Sequence, residues 1–177
     1  MAIEPTPPDP NGPRYSTQPF PSYRFAPGLA PHPRRDPSGH SYGKPERKPT
    51  RFAVDEWQTS EDYLYGIDLY NFAYWWECHE VFEGLWHAFG HNSEQGNLFQ
   101  ALIQFAASNL KWSLGNETAA RKLARNGLDR LQKVPSPYMG IDVTAFTERY
   151  KTTASEGSEF RPALLTLLTC DSSQKPG

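Results

Sequence analysis

The 177-residue sequence predicts an all-α fold, a compact antiparallel bundle of about five or six helices with an extended Pro-rich N-terminal arm. Three observations predict it. From residue 60 onward, apolar residues recur at three- and four-residue intervals, the period of a helix rather than a strand. No apolar–polar alternation, hairpin signal or internal repeat competes with that period. Thirteen of the seventeen prolines fall within the first fifty residues, so the foldable sequence begins near Arg51. The expected organisation is a partly disordered arm over 1–50, a helical bundle domain over 51–169 and a disordered tail over 170–177.

The elements follow in order. Residues 1–19 are polar and proline-rich, which favours disorder. Residues 19–43 differ, because Phe20, Tyr23, Phe25, Leu29 and Tyr42 stand between stiffening prolines. Such a segment loses little entropy on docking, so an arm laid on the bundle and a loose tail both fit it. Thr59 and Asp62 form a capping-box pattern that opens a helix over 60–71, with Leu64, Ile67 and Tyr70 inward. A turn at 71–73 leads to a second helix over 74–89, which Gly90 stops. The third helix, 94–114, is apolar around most of its circumference and should be central. Its exception is a polar stripe of Asn97, Gln100, Gln104 and Lys111. A fourth helix over 117–133 faces inward through Ala120, Leu123, Ala124, Gly127, Leu128 and Leu131, and Pro135 and Pro137 end it. Asp142 caps a fifth, with Val143, Phe146 and Tyr150 inward. A short sixth helix is expected over 160–168.

Charge is unevenly distributed. Residues 1–51 carry eight Lys and Arg against four Asp and Glu, whereas the remainder carries ten against sixteen. A basic arm of this kind can fold back on its own acidic body or reach an acidic partner. The two cysteines, Cys78 and Cys170, make no disulfide framework, and Cys78 reads as a buried thiol. Residues 1–10 lack the apolar core of a signal peptide, and no run approaches a membrane span, so a cytoplasmic protein without a membrane partner is expected. There is no Gly-rich phosphate loop, CxxC, nucleophile elbow or dinucleotide fingerprint. Helix four carries Arg121, Lys122, Arg125, Arg130 and Lys133, but Glu117 and Asp129 interrupt them and no aromatic stacking positions intervene. That pattern reads as a solvated face rather than a nucleic-acid surface. Self-association stays open.

The chemistry concentrates between Trp76 and His87, where Glu77, His79, Glu80 and Glu83 interleave with aromatics. Buried carboxylates need partners, so these groups either pair with one another or hold something else, such as a metal ion. His79 and Glu83 are four residues apart on one helical face, with Glu77 and Glu80 flanking it. His79-Glu80-x-x-Glu83 is comparable to the zinc-protease helix, with glutamate where the second histidine would stand. His87 or His91 can add a ligand, and so can His32 or His40 if the arm crosses helix two; otherwise these are turn-capping residues. Gln100 and Gln104 can meet the carboxylates of helix two as orienting amides, act as glue between helices, or face solvent.

The segment Tyr70 to Trp86 resembles the Glu-x-His-Glu-x-x-Glu-x-x-Trp signature of the family catalogued as "domain of unknown function 309", carried here by Glu77, His79, Glu80, Glu83 and Trp86. A second block, Phe99 to Ala107, is similar to that family's Gln-Gly-Leu-Ile-Gln segment, with Ala101 in place of glycine. The third, Pro137 to Asp142, resembles its closing turn. The resemblance implies a small helical bundle and carries no activity. Two functional expectations follow. One is a non-catalytic binding or structural module built on a buried cluster of Glu77, His79, Glu80, Glu83, Gln100 and Gln104. The alternative is a hydrolase-like enzyme using a divalent metal, with His79 and Glu83 as ligands and Glu80 as catalytic base. A divalent metal is the sole cofactor that either reading admits, and the physiological partner is unassigned.

Overall fold

Side-chain caps fix where the helices start. The computed structural model describes residues 4–46, 48–153 and 161–168. A 3-10 helix at Val54–Thr59 precedes α1 (Glu61–Asn71), α2 (Trp75–Phe89), α3 (Glu94–Ser113), α4 (Glu117–Leu131) and α5 (Val143–Thr153). Ser60 Oγ accepts from the Tyr63 amide at 3.2 Å, so the cap of α1 falls one residue later than Thr59. The Thr59 hydroxyl instead donates to Glu56 O at 2.8 Å and closes the 3-10 helix, an element the apolar period does not announce. Ser93, Asn116 and Asp142 cap α3, α4 and α5 by accepting from Gly96 N, Ala119 N and Ala145 N. Ala73, at φ 64°, makes the turn into α2, and Gly90, at φ 87°, ends that helix.

The central element is α3, which packs against α2 on one side and α4 on the other, while α1 lies on α2. The core is aromatic. Phe82 stacks on Phe99 with ring centroids 6.1 Å apart, and Phe105 meets Phe146 and Tyr150 of α5 at 5.5 and 4.1 Å. Two helical glycines let these rings in. A Cβ on Gly66 would come within 2.7 Å of Phe82, and one on Gly127 within 2.6 Å of Phe105.

The sixth helix expected over 160–168 does not form in its described part. Residues 161–168 run extended, and Leu167 forms an isolated bridge with Ile141. Pro162 disfavours helical backbone at Arg161. The buried Asn71 amide then satisfies the extended chain, donating to Leu165 O and accepting from Leu165 N, both at 2.8 Å. Phe160 and residues 170–177 lie outside the described residues. Among the described residues there is no strand.

Residues 4–46 form no helix and lie against α1 and α2. Asp68, fully buried on α1, accepts from Arg14 Nε (2.9 Å), Tyr15 N (2.8 Å), Ser16 N (2.9 Å) and Ser16 Oγ (2.7 Å). Phe20 stacks on Tyr74 at 4.8 Å and tilts onto Phe72 at 5.0 Å. Arg24 lies over the same Tyr74 ring, 4.5 Å from its centroid, and donates from Nε to Phe72 O at 2.7 Å.

Two glycine substitutions should act in opposite directions in urea unfolding. Gly127→Ala drives a methyl into Phe105 and should destabilise by about 1–3 kcal/mol. Gly84→Ala meets only the Pro49 side chain at 3.5 Å, so it should stabilise α2 by about 0.5–1 kcal/mol. Equal effects at the two positions would contradict this packing.

Candidate functional site

Helical rotation sorts the polar residues of α2. At 100° per residue, His79, Glu83 and Glu80 fall within a sector of about 100°, and Glu77 lies about 60° beyond Glu80. Each of His79, Glu80 and Glu83 brings a ligand atom to within 4.8 Å of the other two, and all three side chains are half-buried. His79 Nδ1 lies 3.5 Å from Glu80 Oε1 but makes no hydrogen bond. Arg34, from the N-terminal segment, places Nε 3.7 Å from Glu80 Oε2. A groove of about 310 Å³ runs beside the group, lined by Arg34, Glu46, Glu80, Glu83 and His87.

Glu77 belongs elsewhere. It is 5% exposed, and its Oε1 accepts from Phe25 N at 3.0 Å and from His40 Nε2 at 2.9 Å. His40 is itself oriented by Ser41 Oγ, 2.9 Å from its Nδ1. His40 therefore reaches α2, but at Glu77 rather than at His79 and Glu83. His32 has the turn-capping role: its Nδ1 accepts from Arg34 N and Arg35 N at 3.2 and 3.3 Å. His87 and His91 lie exposed with ring nitrogens 3.5 Å apart, and His91 stacks on Trp86 at 3.9 Å between centroids. Neither joins the group of His79, Glu80 and Glu83.

Of the α3 amides, Gln100 Oε1 and Gln104 Oε1 are buried without a hydrogen-bond partner. Asn97, from the same stripe, is buried and accepts from Arg130 Nη1 at 3.2 Å. Burial pushes the Cys78 thiol well above its ordinary pKa, with Glu77 adding to the shift. A protonated, fully buried thiol is no nucleophile. On α4, Arg121 pairs with Glu117 and lies 5.0 Å from the Trp112 centroid.

Asp68 escaped the sequence reading, although its signal was present. It sits inside the run Gly66-Ile67-Asp68-Leu69-Tyr70, with no cation one turn away to pair with it. A carboxylate so placed demands a partner from another part of the chain.

The fold and this group together define a small helical domain with a His–Glu–Glu constellation on its second helix. Residues 63–123, which run from α1 into α4, match the family model described as "Domain of unknown function (DUF309)". The match spans the first two motifs of the resemblance, and the turn at Pro137 to Asp142 lies beyond it. No curated protein matches the chain. Among the described residues, no helix is long and apolar enough to cross a membrane.

The His40–Glu77 pair should show strong coupling, because both side chains are almost fully buried. In a double-mutant cycle of His40→Ala and Glu77→Gln, chemical denaturation should give a coupling of about 1–3 kcal/mol. Simple additivity would mean the pair contributes nothing to holding the N-terminal segment.

Proposed function

We propose that this protein is a binding module that holds a divalent cation on α2, with His79, Glu80 and Glu83 as ligands. The observation that carries the reading is the convergence of one imidazole nitrogen and two carboxylates within 4.8 Å. Tetrahedral ligand atoms around a first-row ion stand roughly 3.3 Å apart. Half-buried glutamates can close that difference by rotating about their side-chain bonds. One nitrogen and two oxygens suit zinc, manganese or iron(II). Electrostatics supports the same reading: Glu80 and Glu83 lie one turn apart, and Arg34 offsets only part of their charge. All three ligands come from one helix, so the ion is not needed to join elements, and its removal leaves the bundle intact.

A second reading adds chemistry to the same group. With His79 and Glu83 as ligands, Glu80 becomes a general base in a hydrolase-like site. The open groove of about 310 Å³ beside Glu80 and Glu83 favours it, since a bound ion there keeps coordination positions for water and substrate. The free, buried Cys78 thiol accords with a reducing compartment, and we read the protein as cytoplasmic.

Protein purified without an affinity tag should contain close to one equivalent of zinc, manganese or iron by elemental analysis. After chelation, the preferred ion at about a hundredfold above its Kd should stabilise the fold by about 2.7 kcal/mol. His79→Ala should abolish uptake and leave the melting temperature of the chelated protein nearly unchanged. Full metal content in His79→Ala, or no uptake of any of the three ions by the wild type, would overturn the reading. The hydrolase reading requires metal-dependent cleavage of p-nitrophenyl esters or phosphates that Glu80→Gln removes.

A further inference from the structure

A larger cavity, of about 440 Å³, lies where residues 19–45 cross α1 and α2. This is within the usual size of a small-molecule site. Its N-terminal wall precedes residues 63–123, so the cavity is a feature of this chain rather than of the matched domain alone.

One wall residue is electrostatically incomplete. Glu77 lines the cavity, and although its Oε1 accepts from Phe25 N and His40, its Oε2 has no hydrogen-bond partner. A buried carboxylate oxygen without a donor is among the more expensive things a fold can contain. His40 cannot supply that donor, since both its ring nitrogens are engaged, one by Glu77 and one by Ser41. Tyr65, also in the wall, gives its hydroxyl to Pro19 O at 3.0 Å. A donor brought by a bound ligand would satisfy that oxygen.

The complementary charge is on the same walls. Lys44 lines the cavity, and its ammonium makes no ion pair among the described residues. Arg34 approaches Glu80 only to 3.7 Å. Formal charges cancel around the cavity, with Glu77 and Glu80 against Arg34 and Lys44. A net anion or cation would therefore gain nothing from the walls as a whole, whereas a dipolar molecule gains at both ends. Between those ends the surface is apolar, built from Phe20, Leu69, Trp76 and Val81. Aromatic faces near a carboxylate also favour an ammonium group.

We propose that this cavity binds a free α-amino acid with an apolar side chain. Its ammonium donates to Glu77 Oε2, its carboxylate accepts from Lys44 and Arg34, and its side chain lies against the apolar wall. The site is separate from the cation group, with which it shares only Glu80 as a bordering residue.

Isothermal titration of the full-length, metal-stripped protein tests this, with L-phenylalanine and L-leucine as probes. Phenethylamine lacks the carboxylate and N-acetyl-L-phenylalanine lacks the ammonium. Both amino acids should bind saturably, and each truncated analogue should bind at least about tenfold more weakly. Lys44→Ala, at an exposed residue, should weaken L-phenylalanine about tenfold without moving the melting temperature. Glu77→Gln should weaken it as well. If that buried variant fails to fold, Lys44→Ala decides. His79→Ala should leave amino-acid binding unchanged, which separates this site from the proposed cation site. Absence of saturable binding, equal binding of either analogue, or an unaffected Lys44→Ala variant would overturn the proposal.

Discussion

Two carboxylates on the inner faces of α1 and α2, Asp68 and Glu77, are buried where no residue of their own helices can neutralise them. Burying such a group is tolerable only when hydrogen bonds and a countercharge surround it. The first forty residues supply hydrogen bonds to both carboxylates, and Arg14 supplies a countercharge to Asp68. Arg14, Tyr15 and Ser16 close around Asp68, and Phe25 with His40 closes around Glu77. Everything else the N-terminal segment does follows from those two anchors. They hold Phe20 on Tyr74 and Arg34 beside Glu80, and they draw residues 19–45 across α1 and α2 to make a cavity. The opposed charges of the two parts of the chain are thus spent on each other at named positions.

The polar residues of α2 divide because a helix turns by a fixed angle. Glu77 points into the contact between the N-terminal segment and the bundle, while His79, Glu80 and Glu83 share the next sector, and Glu80 and Glu83 line the groove. One helix therefore serves two purposes that a linear motif runs together. Glu77 secures the chain, and the trio one step round presents convergent donor atoms. Gln100 and Gln104, on the neighbouring helix, bury their amide oxygens without a hydrogen-bond partner.

Aromatic packing explains why α2 can carry so much charge at all. Phe82, Leu85 and Phe89 bury its opposite face against Phe99 and its neighbours on α3, and Gly66 lets Phe82 approach α1 closely. With that face secured by dispersion and apolar burial, the remaining surface is free to hold ionisable groups. Residues 63–123, which match the family model, fall within this α1–α4 framework, and the N-terminal segment adds to it the second wall of the larger cavity.

By itself the sequence determined the helices. Period, caps and glycine stops placed α1 to α5 to within a few residues, because those signals act locally along the chain. The trio His79, Glu80 and Glu83 was legible for the same reason, since neighbours three and four apart on a helix meet whatever surrounds them. The tertiary structure alone decided which partner each buried charge would take. Asp68 with Arg14 and Glu77 with His40 are separated by 54 and 37 residues, distances over which no local periodicity carries information. It also decided that residues 161–168 run extended, because the Asn71 amide that stabilises them lies 94 residues away. Short-range geometry is written in spacing, whereas the satisfaction of buried polar groups depends on what the fold brings near.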